Sequence, residues 1–255
     1  MVSGLEEKYH QEVKQHFDSL PDRYFQFKDS KTVISHIKSI QQFKEKENSS
    51  EGSYPAKMKW VDHLSRGYSE LVIVCRNRPL LLERVCCALA SQEITIISAD
   101  VFTRKDGIVC DTLRVSTVDW KAIQSKSKKQ NVLSIFSDLL LQNEYDPEKY
   151  LKKKKNILRK DDSDSGIPFP VRSYISNDMS ELHTTLNIQG LDRIGLLHDL
   201  FLEIAKLGLA TVSARICTEK GAALNTLHIS YPSGGKIENP EEIKQIESRI
   251  NAIIH

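Results

Sequence analysis

Twice along the chain a short apolar run gives way to a turn, then to apolar residues at helical spacing, then to two more strands. The first passage predicts a strand over Glu70–Cys75, a turn at Arg76-Asn77-Arg78 and a helix from about Pro79 to Gln92. A strand over Thr95–Arg104, a hairpin at Lys105-Asp106-Gly107 and a strand over Ile108–Ser116 follow. The second passage predicts a strand over Thr184–Gln189, the turn Gly190-Leu191-Asp192-Arg193 and a helix from about Gly195 to Leu207. Its last strands are Ala210–Glu219 and Ala223–Tyr231, joined by a turn at Lys220-Gly221. The two passages superpose, Arg78 on Arg193, Leu81-Leu82 on Leu196-Leu197, Ala90 on Ala205, Ser98-Ala99 on Ser213-Ala214 and Thr103 on Thr218. One residue fewer in the second hairpin then brings Gly107 onto Gly221 and Thr112-Leu113 onto Thr226-Leu227. Agreement spread over strand, turn, helix and hairpin marks an internal repeat.

Outside the repeat, Leu5, Tyr9, Val13 and Phe17 predict a helix over residues 1–19, which Leu20-Pro21-Asp22-Arg23 ends. Asp29 or Ser30 caps a second helix with Val33, Ile37 and Ile40 on one face. A linker at Ser49–Ser53 precedes alternating Ala56, Met58 and Trp60, which predict a strand leading into the first copy. Val132–Leu141 reads as a helix, and a polar insertion covers about 146–166. Pro168–Ile175 reads as an extended segment that returns as the fourth strand of the first copy. Asn239, Pro240 and two glutamates open a last helix with Ile243, Ile246 and Ile250 on its apolar face. The expected fold is therefore α+β: two ferredoxin-like βαββαβ modules with antiparallel sheets, preceded by a short helical segment. The helical segment and linker take residues 1–60, the first module 68–178 with its polar insertion, and the second 180–255, which lacks a fourth strand of its own.

Composition narrows the function. Charged residues make 27% of the 255 and the net charge is +2, which gives no electrostatic case for nucleic acid or an anionic membrane. The run Lys152–Lys155 has no interleaved aromatics and is followed by Asp161-Asp162, so it reads as a solvated linker. No apolar stretch reaches the ~20 residues of a membrane span, and the first residues lack a signal pattern, so a cytoplasmic location is expected. The five cysteines include no Cys-x-x-Cys, and the adjacent Cys86 and Cys87 read as buried core thiols. No histidine or cysteine cluster has metal-ligand spacing, so neither metal nor cofactor is expected. No Gly-rich phosphate loop or nucleophile elbow is present, and no catalytic residue is assigned. His198 and Asp199 are adjacent in a helix, and adjacent residues do not share a helix face, so they are not expected to pair.

The turns between first strand and first helix remain as candidate sites. A helix start presents unpaired N–H groups and partial positive charge, which suits a carboxylate. In the second copy Gly195 sits at that start, where it either eases the turn or lets a ligand approach the backbone. Asp192 either caps the helix or holds a ligand's amino group. In the first copy Leu80 replaces the glycine and Asn77 the aspartate, so this turn is expected to be filled and uncharged.

Leu191-Asp192-Arg193-Ile194-Gly195-Leu196-Leu197 resembles the Asp-Arg-x-Gly-Leu-Leu signature of ACT domains, small-molecule-sensing regulatory modules. More narrowly the chain resembles the C-terminal region of bacterial P-II uridylyltransferase/uridylyl-removing enzymes. The matching stretches are Leu20–Phe25, Ser98–Gly107, Ser176–Ser180 and Thr184–Thr218, in the same order. In that family nucleotidyltransferase and phosphohydrolase domains precede tandem ACT domains that sense glutamine, and neither catalytic motif is visible here. The resemblance thus implies a sensing part without the enzyme part. It puts Asp192, Arg193, Ile194, Gly195, Leu196 and Leu197 at an effector site, completed by the facing strand near Ser98, Ala99 and Asp100 or Ser213 and Ala214.

Three functions compete. The leading one is a non-catalytic regulatory protein that binds an amino acid, glutamine being favoured, and signals to a partner protein or a second copy of itself. The others are a ligand-independent interaction module and a degenerate remnant of the uridylyltransferase.

Overall fold

In the computed structural model, residues 7–49, 55–142, 144–151, 170–219 and 222–255 are described. The Lys152–Lys155 run, most of the polar insertion, Pro168-Phe169 and the Lys220-Gly221 turn lie outside them. The apolar runs of both copies become strands of one antiparallel sheet. Its members are β1 (Ala56–His63), β2 (Tyr68–Arg76), β3 (Ile94–Asp100), β4 (Ile108–Thr117), β5 (Arg172–Ser176), β6 (Thr184–Leu191), β7 (Ala210–Glu219) and β8 (Ala222–Ser230). They lie in the order β1-β2-β4-β3-β7-β8-β6-β5. Each half has the strand arrangement of a ferredoxin-like unit, and the halves join edge to edge through β3 and β7. Two tandem ferredoxin-like modules therefore share a single sheet.

The fourth-strand position is filled differently from the sequence expectation. Arg172–Ser176 pairs with β6 of the second module, from Arg172↔Gln189 to Ser176↔Thr185, and does not return to the first. In the first module β1 holds the same place, from Ala56↔Cys75 to His63↔Tyr68. Each unit is thus ββαββα, and β5 supplies the fourth strand that the second module was expected to lack. Loop closure explains the choice. β1 reaches β2 through the short turn Leu64–Arg66, whereas a returning strand would have to close a far longer excursion after β4.

Eight helices flank the sheet among the described residues: α1 (His10–Ser19), α2 (Asp22–Phe27), α3 (Ser30–Ser49), α4 (Leu81–Ser91), α5 (Lys126–Leu141), α6 (Glu148–Leu151), α7 (Leu196–Lys206) and α8 (Pro240–Ile254). Leu81, Val85 and Leu89 of α4 share one core with Leu196, Leu200 and Ile204 of α7 and with Ile246 and Ile250 of α8. Two expected caps form: Asp29 Oδ1 accepts the Thr32 N–H at 2.7 Å and Asn239 Oδ1 accepts the Glu241 N–H at 2.9 Å.

The N-terminal helices cover the other face of the first module. Ile40 and Phe43 of α3 are buried against Val72, Val74, Ile108 and Cys110. Tyr24 Oη lies 3.0 Å from His16 Nε2 and 2.7 Å from His36 Nδ1, and burial lowers His16 to about 3 and His36 to about 4. Arg104, fully buried, is paired with Glu12 and lies 3.0 Å from Asp106, tying α1 to the β3–β4 hairpin. The second module has no such cover among the described residues, and Tyr174 and Leu224 are exposed on that side.

The repeat extends to backbone irregularities. β3 carries a bulge between Ile96 and Ser98, and β7 carries one between Thr211 and Ser213. Left-handed residues recur at Leu80 and Gly195, and again at Glu93 and Gly208. A side chain at Gly208 would meet no atom within 4 Å, so conformation alone decides there. Gly208→Ala is expected to cost about 1 kcal/mol and Glu93→Gly to gain a smaller amount, both read from denaturant unfolding.

Candidate functional site

The two strand-to-helix turns lie at opposite ends of the seam between β3 and β7. Only three residue pairs form that ladder: Ser98↔Cys217, Ala99↔Ile216 and Asp100↔Arg215. The expected facing residues therefore sit on the seam, but their backbones are engaged in it, and Asp100 is also paired with Lys28 at 2.6 Å. Ala99 and Ala214 are buried in the common core, and Ser98 and Ser213 are half-buried.

The second turn is closed. Gly195 takes a left-handed φ of 83° at the start of α7, the conformation that favours glycine. Asp192, buried, accepts the Thr218 hydroxyl at 3.2 Å; the same hydroxyl stands 3.4 Å from Ile96 O and donates its single proton to one at a time. Arg193 pairs with Asp199 at 2.9 Å. Ile194 and Leu196 are 1% exposed, and Leu197 packs against the core. A space of about 20 Å³ remains, room for one water, between this turn and Cys86, Leu89, Ala90 and Ile94–Ile96 of the first module. The strand facing the turn is thus Ile94–Ile96, a little before the expected Ser98–Asp100.

The segment after α5 seals this end. Leu151 is buried with Ile194, Cys87, Ala90 and Leu139, and Tyr145 and Tyr150 pack on that cluster. Tyr145 Oη donates to Glu83 O at 3.1 Å and lies 2.9 Å from His198 Nε2. Contrary to the expectation from helix geometry, His198 Nδ1 does reach Asp199 Oδ1, at 3.1 Å. The fully buried imidazole thus links α7 to the plug.

The free volume lies at the other end, where Leu80 was expected to leave none. A cleft of about 850 Å³ opens there, inside the range of small-molecule sites. One wall is Asn77–Glu83, the turn and first turn of α4; Val101, Thr103, Val109 and Asp111 continue it. The opposite wall is Gly208–Val212 and the Ser230–Gly234 loop of the second module. Leu80 is left-handed like Gly195, with φ 58°, but its side chain borders the cleft and does not fill it. Among the described residues no side chain caps the start of α4.

Asp111 stands out chemically. It is 1% exposed, on the core-facing side of β4 between Val109 and Leu113. Its Oδ1 accepts the Phe102 N–H at 3.1 Å. Burial lifts its pKa from 3.8 to about 7, offset by that hydrogen bond, and among the described residues no cation compensates the carboxylate. Sequence reasoning passed over it, although the repeat holds the signal: Asp111 superposes on Asn225, a second buried polar residue on a core-facing strand position.

Comparison with known proteins bears on these modules. No family model matches the chain. It is similar to bifunctional uridylyltransferase/uridylyl-removing enzymes: 27% identical over 191 residues to that of Bradyrhizobium diazoefficiens, 74% of this chain and 20% of the relative. The Azospirillum brasilense enzyme is 27% identical over 185 residues, 72% of this chain and 20% of the relative. That of Nitrobacter winogradskyi is 28% identical over 193, 75% and 20% respectively. The chain spans about a fifth of the length of these relatives. A solved aspartate kinase from Synechocystis overlays 74% of this chain and 26% of its own, at 11% identity and a TM-score of 0.38, too distant to carry weight. Among the described residues no helix is long and apolar enough to cross a membrane.

The Asp111 carboxyl makes a testable statement about stability. Its folded pKa is raised, so relative to a neutral amide it costs nothing below the unfolded value of 3.8 and its full penalty above about 7. Asp111→Asn is therefore expected to stabilise the protein at pH 8, by at most about 4 kcal/mol, with the gain vanishing by about pH 4. Denaturant midpoints of both proteins across that window check it.

Proposed function

We propose that the chain is a non-catalytic regulatory unit whose tandem ACT modules bind a small amino-acid effector at their interface. The supporting observation is the cleft of about 850 Å³, whose walls come from both modules. An occupant there touches the first module's turn and the second module's β7 at once. It can shift how the modules pack, and a partner protein or second copy reads the shift. Glutamine is the favoured effector on the strength of the uridylyltransferase resemblance. The relatives' activity is not carried over, because the similarity covers about a fifth of their length.

A second seat is the closed turn Asp192–Leu197, which would admit a ligand only if α4 and its plug moved away from α7. Calorimetry with the twenty amino acids separates the two. Val212→Trp is expected to fill the cleft and weaken binding at least tenfold, while Gly195→Leu leaves it within about twofold. Loss in Gly195→Leu alone moves the effector to the second turn, and no binding by any amino acid overturns the effector reading.

Exposed Tyr174 and Leu224 on the uncovered side of the second module favour a different function, a ligand-independent interaction surface. Sedimentation distinguishes it: self-association that no amino acid changes, and that Tyr174→Ser abolishes, is its signature.

A further inference from the structure

We propose that Asp111 is the anionic seat in the cleft for the protonated amine of the ligand, so that the cleft selects small molecules carrying both an amine and a carboxylate. The proposal rests on the effector reading and adds to it the group that decides ligand class.

Three observations carry it. Asp111 borders the large cleft and also a void of about 20 Å³ beneath it, between Val85 and Cys86 of α4 and Leu197 and Phe201 of α7. Its carboxylate has one partner among the described residues, the Phe102 N–H, although a buried carboxylate ordinarily requires a cation or several donors. Arg78, the cation of the same wall, is turned away and donates to Leu140 O. The charge is therefore buried beside open volume, with no cation to hold it among the described residues.

The second copy carries a neutral residue at the equivalent position. Asn225 occupies it, 3% exposed, with neither amide atom hydrogen-bonded. That copy has the closed turn. Both copies thus keep a buried polar residue at this strand position, and the charged version accompanies the open cleft. Asp111 holds one main-chain group, the Phe102 N–H, and Asn225 holds none.

The rest of the wall suits the other end of such a ligand. The uncapped start of α4 leaves the Leu81 and Leu82 N–H groups for a carboxylate, and the apolar side chains of Leu82, Val101 and Val212 line the space between. Glu83, the other buried acid of the cleft, is bonded to its own backbone, so Asp111 is the acid left to meet an amine.

The test compares each amino acid that binds with its matching 2-hydroxy acid, in which a hydroxyl replaces the amine. Calorimetry at pH 8 is run on the whole chain, wild type, Asp111→Asn and Asp111→Glu. The amino acid is expected to bind at least tenfold more tightly than the hydroxy acid. Asp111→Asn should erase that preference, and Asp111→Glu, which keeps the charge, should retain part of it. Melting curves verify that Asp111→Asn is folded. Equal affinity for the two ligand series, or an amine preference unchanged in Asp111→Asn, overturns the proposal while the effector reading stands. Absence of binding by every amino acid overturns both.

Discussion

Everything in this fold hangs on a ladder three residue pairs long. A ferredoxin-like sheet has an unpaired edge at its second strand, and an open edge invites association with other chains. Here β3 and β7 pair their edges with each other, from Ser98↔Cys217 to Asp100↔Arg215. That pairing makes one sheet from two modules and forces α4 and α7 to pack side by side above it. It also fixes where ligands could reach. Beyond Asp100, Val101 and Thr103 separate from Ala210–Val212, and the cleft occupies the gap.

A repeat joined this way should offer two equivalent ends, and the protein has made them unlike. The cause is the connection between modules. Tyr145, Tyr150 and Leu151 leave α5 and pack over Ile194, so the turn with the ligand-friendly glycine is shut. The turn with the bulky Leu80 has no such plug among the described residues and stays open. Local sequence at a turn says whether the backbone tolerates a ligand. What else in the chain covers the turn decides whether there is room for one.

This is why the sequence told the fold better than the site. Strand and helix patterns are local, and both copies, their hairpins and the caps at Asp29 and Asn239 were readable from spacing alone. Which strand fills the fourth position was not, because Ala56–His63 and Arg172–Ser176 fit it equally well by pattern. Chain connectivity settled it in favour of the short hairpin. The covering of one sheet half was written in the strands, had the copies been compared face by face. β2 reads Leu71-Val72-Ile73-Val74-Cys75, apolar on both sides, and α3 buries its second face. β6 alternates Leu186, Asn187, Ile188 and Gln189, the mark of a sheet with one side toward water. Asp111 was legible in the same way, as a polar residue where the alternation of β4 calls for an apolar one. Its neighbours across the seam come from residues a hundred positions away, and no local pattern announces them.

The seam also states what an effector must do to be felt. A ligand shifts a balance between two packings only through a difference in its contacts with them. A molecule enclosed within one module would hold the same contacts however the modules sat. One in the cleft spans the Asn77–Glu83 wall and the Gly208–Val212 wall, so any change in the angle between the modules changes its contacts. Among the described residues no β3–β7 pairing crosses the gap at the cleft. At the far end Thr218, Ile96 and the Tyr145–His198 link hold the modules together. On the proposed reading, occupancy of the open end becomes rotation about the fastened one, and the plug that shuts the second turn is what gives the first its leverage.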